Sequence, residues 1–141
     1  MKVLLDACVL YPTVLREILL AVAARGLFQP LWSPRILEEW ARATRKLGPV
    51  AEQIARGEVA RVQADFPRAS MQVPESVAAR LVLPDPDDVH VLAAAIVAGA
   101  DVLLTFNHGD FPQHVLAAEG IARRDPDGFL WELWSGAPDA V

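Results

Sequence analysis

The chain has 141 residues, 53% of them hydrophobic, which predicts one domain spanning 1–141 around one packed core and excludes a disordered polar tract. A formal net charge of −5 argues against a bulk polyanion binder, but carboxylates that hold cations enter this sum as acids while attracting phosphate once loaded. No apolar run is long and uncharged enough to span a bilayer, so no membrane role is expected; Cys8 is the only cysteine, which rules out an internal disulfide and predicts a reducing, cytoplasmic location.

The N-terminal "MKVLLDACVLYP" reads as a buried strand ending at Asp6 and not as a signal peptide, since an aspartate interrupts it before any useful apolar region. "PTVLREILLAVAARG" predicts a helix that is apolar nearly all round, in the core or against a partner, with Gly26 as its stop. "LFQPLW" predicts a short strand. "SPRILEEWARATRKLG" predicts a helix with Ser33 as N-cap, Pro34 at its first position and Gly48 beyond its end. Residues 49–66 predict one or two polar surface helices, "MQV" a short strand and "ESVAARLVL" a short helix. A helix from about Asp87 to Ala98, the strand "DVLLTF", the helix "PQHVLAAEG", the strand "IARRD" and the helix "PDGFLWELWSG" complete the chain. Strands alternating with helices predict an α/β fold with a mainly parallel sheet.

In such sheets ligands bind at the carboxyl ends of strands. Asp6 ends one strand, and Thr105, Asn107 and Asp110 follow another. Asp85, Asp87 and Asp88 precede the most apolar helix. Asp85 and Asp87 are expected to stabilise that helix start, Asp85 as its N-cap, while Asp88 suits either the cap or a site. A carboxylate ending an apolar strand, as Asp6 does, carries a burial cost that a metal or partner must offset. Arg35, Glu39, Arg42 and Lys46 recur at i, i+4, i+7 and i+11. They form one stripe, either a solvated ion-paired face or a ligand flanked by phosphate-binding cations. His90, His108 and His114 have no zinc spacing, and Cys8 reads as a small buried hydrophobe. Trp131 and Trp134 predict core or a partner surface.

"VLLDACVLYP", "SPRILEEW", "DPDDVHVLAAAIVAGADVLLTFNHGDFP" and "PDGFLWEL" together resemble PIN-domain ribonucleases, in particular the VapC-like toxins of bacterial toxin–antitoxin pairs. The resemblance implies a three-layer α/β/α sandwich and an acidic cluster that binds Mg²⁺ or Mn²⁺. It implies Asp6, Glu39 and Asp88 as catalytic metal ligands, with Asn107 or Asp110 as the last ligand and Thr105 and Asp85 in support. It also implies RNA as substrate, an antitoxin protein and a second copy as partners, and Arg35, Arg42, Lys46 and Arg16 as phosphate contacts. The chain departs from the pattern after Asp6, where Ala7 and Cys8 stand in place of small polar residues, and Asn107 lowers the charge of the site. A catalytically weak or inactive RNA- or protein-binding module of the same fold is therefore the alternative. Phosphotransfer domains also place an aspartate after the first strand, but both lysines, Lys2 and Lys46, lie too early for their late lysine.

Overall fold

The structure, a computed structural model, describes residues 1–136. Four strands, β1 (Lys2–Leu5), β2 (Gln29–Leu31), β3 (Val102–Leu104) and β4 (Ala122–Arg124), form one all-parallel sheet in the order β2-β1-β3-β4. Leu4 pairs with Leu31 on one side and Leu103 on the other. Successive strand residues face opposite sides of a sheet, yet Val3, Leu4 and Leu5 are all fully buried. Both faces of the sheet are therefore covered, as an α/β/α sandwich requires. Pro30 is tolerated because β2 is an edge strand, paired only with β1.

Eight α-helices surround the sheet among the described residues. After β1 come α1 (Ala7–Leu10) and α2 (Thr13–Ala24); after β2 come α3 (Pro34–Ala43), α4 (Pro49–Asp65), α5 (Glu75–Ala79) and α6 (Val89–Ala98). α7 (Gln113–Ala118) joins β3 to β4, and α8 (Pro126–Gly136) follows. Ser33 caps α3 through its hydroxyl, which accepts from the Ile36 amide at 3.2 Å, and Pro34 opens the helix. α6 buries Val91, Leu92, Ala93, Ala94, Ala95 and Ala98, its alanines letting the backbone approach the sheet closely. It ends at Gly99, whose φ of 67° and ψ of 38° lie in the left-handed region that glycine enters without cost.

One expectation is corrected and two are sharpened. Asp6 does not simply end a strand, because a single turn of helix, α1, begins directly after it. Residues 49–66 contain one helix, α4. "MQV" is extended but unpaired, the sheet reaching this segment only through a single bridge between Trp32 and Ser70.

β1 leads to β2 on one side of the sheet and β3 leads to β4 on the other. The chain direction thus diverges between β1 and β3. The crevice outside their carboxyl ends is where open α/β sheets place ligands. The Asp6 amide donates to the Leu104 carbonyl at 3.1 Å, which locks Asp6 and Thr105 side by side at that point.

Candidate active site

Asp6 is 5% exposed. Its Oδ1 accepts from the Ala7 amide at 2.8 Å, capping α1, and its Oδ2 accepts from the Thr105 hydroxyl at 2.9 Å. Burial raises its pKa; the bonds from Thr105, Ala7 and Cys8 oppose that rise, and the charge of Glu39 adds to it. Thr105, fully buried, also accepts from the Asn107 amide at 3.0 Å, so one hydroxyl ties Asp6 to the loop after β3. The Cys8 thiol stands 3.5 Å from Asp6 Oδ2 and 3.6 Å from the Thr105 hydroxyl. Burial and the Asp6 charge push it up to about 11, so it stays protonated as a weak donor. It partly fills the polar place expected beside the first acid.

Asp88 sits between the short 3₁₀ turn Pro86–Asp88 and α6. Asp85 caps that turn, accepting from the Asp87 amide at 2.9 Å. Asp88 makes no capping bond, and its Oδ2 is buried with no hydrogen-bond partner. Its pKa is raised to about 6, first by burial, then by the charges of Asp110, Asp6, Asp85 and Glu39. Asp88 thus feels carboxylates from three other segments, those of Asp110, Asp6 and Glu39, besides its near neighbour Asp85. They do not form a ready-made cage: among the described residues no three His, Cys, Asp or Glu side chains stand close enough together to hold an ion.

Glu39, on α3, accepts from His90 Nε2 at 2.9 Å. The His90 side chain is 10% exposed, and its Nδ1 is buried without a partner. Nothing local in the sequence signals this pair, whose members lie 51 residues apart. Asp110 closes the 3₁₀ turn His108–Asp110, and exposed Asn107 precedes that turn without capping it by its side chain. The loop is held by Arg123, whose Nη1 donates to the carbonyls of His108 at 2.9 Å and Phe111 at 3.0 Å.

The basic residues divide. Arg35 is exposed, with no carboxylate partner among the described residues. Arg42 pairs with Glu38 at 3.4 Å on the surface. α3 ends at Ala43, so Lys46 leaves the stripe for a separate 3₁₀ turn, its ammonium 5.0 Å from the centre of the Tyr11 ring. Arg16 does not face solvent as a phosphate contact would. It is 4% exposed, donates to the carbonyls of Leu10 at 2.7 Å and Tyr11 at 3.3 Å, and lies over the Trp40 ring. It ties α1 to α2.

At the carboxyl ends of an all-parallel sheet Asp6 and Thr105 stand side by side, and Asp88 Oδ2 lies buried and unpartnered at the start of α6. A family model for the PIN domain matches residues 2–109, and the chain belongs to the PIN-domain family. PIN domains are generally nucleases and typically use divalent metals. The fold is similar to that in the crystal structure of PAE2754 from Pyrobaculum aerophilum, with a TM-score of 0.62, 21% sequence identity and 96% of each chain covered. No curated protein matches the sequence. Among the described residues no helix is long and apolar enough to cross a membrane.

Proposed function

We propose that this protein is a Mg²⁺- or Mn²⁺-dependent endoribonuclease, the cytoplasmic toxin of a toxin–antitoxin pair. The observation that carries the metal is Asp88 Oδ2, a buried carboxylate oxygen without a donor, faced by other acids. Such an oxygen is costly unless a cation satisfies it. A donor set made only of oxygens suits hard Mg²⁺ or Mn²⁺ better than zinc. Asp6, Glu39 and Asp88 would hold the ion with Asp110, whose charge Asp88 feels most among its neighbours, in preference to exposed Asn107. When bound, the ion polarises the scissile phosphate and acidifies the attacking water.

The chain's own residues supply the frame. Thr105 and the Ala7 amide fix both oxygens of Asp6, and His90 orients Glu39. Arg35 supplies a free cation for a flanking phosphate. Water as nucleophile leaves a 5′-phosphate and needs no 2′-hydroxyl. An antitoxin and a second copy of this chain would cover exposed apolar residues such as Val14 and Ile18 on α2 or Trp131 and Trp134 on α8.

A second reading, an RNA- or protein-binding module without turnover, draws on the dispersed acids, the thiol beside Asp6 and the engagement of Glu39 by His90. The test is cleavage of single-stranded RNA by antitoxin-free protein in Mn²⁺. EDTA should abolish it. Asp88→Asn should lower it more than about 100-fold, the upper end of what loss of a mere outer partner costs a metal site. Equal cleavage by both proteins would identify a contaminant, and RNA binding without any cleavage would establish the second reading.

A further inference from the structure

A cleft of about 280 Å³ opens between the start of α3, the extended residues 71–74, α5 and the first turn of α6. Pro34, Met71, Val73 and Ala78 give it apolar walls, Arg35 stands at its edge and His90 lines it. His90 connects it to the acids, since its Nε2 donates to Glu39. Arg35 and Glu39 share one face of α3, one turn and about 6 Å of helix apart. Among the described residues the backbone groups of Gln72 and Val73 have no hydrogen-bond partners, so this wall can still donate and accept.

We propose that this cleft is a nucleobase subsite for the nucleotide next to the scissile phosphate of single-stranded RNA. The proposal rests on the ribonuclease reading above. The volume lies just under the roughly 300–1,000 Å³ of small-molecule sites and suits one ring system. Apolar walls take the faces of a base, and Arg35 takes its phosphate. The polar side chains that remain are mixed, since Ser33 and Gln72 on the lining can both donate and accept. Glu75 accepts as a carboxylate, and His90 already engages Glu39 through Nε2. A lining that both donates and accepts can meet the edge of any base, so the cleft is expected to select for the presence of a base and not for its identity.

The test is fluorescence anisotropy of full-length Asp88→Asn protein with short oligoribonucleotides in which one position is cytidine, uridine or abasic. At one position the abasic change should weaken binding about tenfold, whether it replaces cytidine or uridine. Ala78→Trp, which fills the cleft, should bind weakly and make these differences vanish. Val73→Trp repeats the test from the extended segment should Ala78→Trp fail to fold. Arg35→Ala should weaken every oligomer alike and reduce the salt dependence by about one phosphate contact. A folded cleft-filling variant that binds and discriminates like its parent overturns the subsite and leaves the cleft to a protein partner. If wild-type protein still cleaves RNA in Mn²⁺, the ribonuclease reading survives that result. If wild-type protein neither binds nor cleaves RNA, both fall.

Discussion

Glu38 and Glu52, on the surface shared by α3 and α4, meet arginines, whereas Asp6 and Asp88, at the carboxyl ends of the sheet, meet no cation among the described residues. Arg56 grips both oxygens of Glu38 at 2.9 and 3.0 Å and reaches Glu52 at 2.7 Å, with Arg45 on Glu52 at 2.9 Å. These bonds hold both glutamates below their ordinary pKa, and burial holds Asp6 and Asp88 above theirs. A carboxylate paired with an arginine inside the chain is spent on structure. Asp6 and Asp88 have no such cation among the described residues, and Asp88 Oδ2, buried without any hydrogen-bond partner, carries unfavourable free energy that a ligand can release, which is why the proposed site is drawn around it.

Among changes that leave the acids themselves intact, the largest effect is expected from Thr105→Val. Valine keeps the shape but removes the donor to Asp6 Oδ2 and the acceptor for the Asn107 amide. Loss of such an outer partner costs a metal site about 10- to 100-fold in affinity. Calorimetric titration with Mn²⁺ should show that loss with the far-ultraviolet spectrum unchanged. Wild-type affinity in the variant would remove Asp6 from the ligand set and break the contrast between the two regions.

The places of Asp6, Asp88 and Asp110 were legible in the sequence because each stands at the boundary of an apolar run. All four strands were readable from those runs, and the cap at Ser33 and Pro34 and the capping role of Asp85 from residue type alone. What escaped is what side chains do across long separations. His90 read only as a histidine without zinc spacing, Cys8 as a small hydrophobe, and Arg16 as a phosphate contact. Each is defined by a partner that no local pattern reveals: Glu39 for His90, Asp6 and Thr105 for Cys8, and the Trp40 ring for Arg16. The stripe from Arg35 to Lys46 failed for a local reason, the change from α-helix to 3₁₀ turn after Ala43, which ends the 3.6-residue period. "MQV" has the composition of a strand, but no neighbouring strand pairs with it.

The next effect is on stability. Mn²⁺ at 100 times its Kd should add about 2.7 kcal/mol, or about 9 °C in Tm for a chain of this size. The shift should shrink in Asp6→Asn. Without metal, Asp88 acts in the opposite direction. Its folded pKa of about 6 lies above the ordinary 3.8, so its contribution is unfavourable once it ionises. That penalty is absent below about pH 3.8, grows as pH rises, and is complete above about pH 6. Asp88→Asn should therefore melt higher than wild type at pH 7.5 in EDTA and level with it near pH 3.5. Equal melting at both pH values would mean that Asp88 is not held among unpartnered acids.

The smallest effect is expected on the paired side. Glu38 has a depressed pKa, set first by its bonds to Arg56, so it contributes stability above its ordinary 4.5 and loses that contribution as pH falls. The group is exposed and its partners are flexible and screened by solvent, so the contribution is small. Glu38→Gln should lower Tm at pH 7 by no more than about 3 °C, and by less in 1 M salt. The Mn²⁺ shift and RNA cleavage should both stay at wild-type values, because no bond of Glu38 reaches Asp6, Glu39, Asp88 or Asp110. Arg56 holds Glu38 and Glu52 together, so Arg56→Ala should cost more than Glu38→Gln alone while leaving the metal response equally untouched. If either change abolished that response, the arginine-paired face would be part of the site, and the difference between arginine-paired and cation-free acids would no longer locate the chemistry.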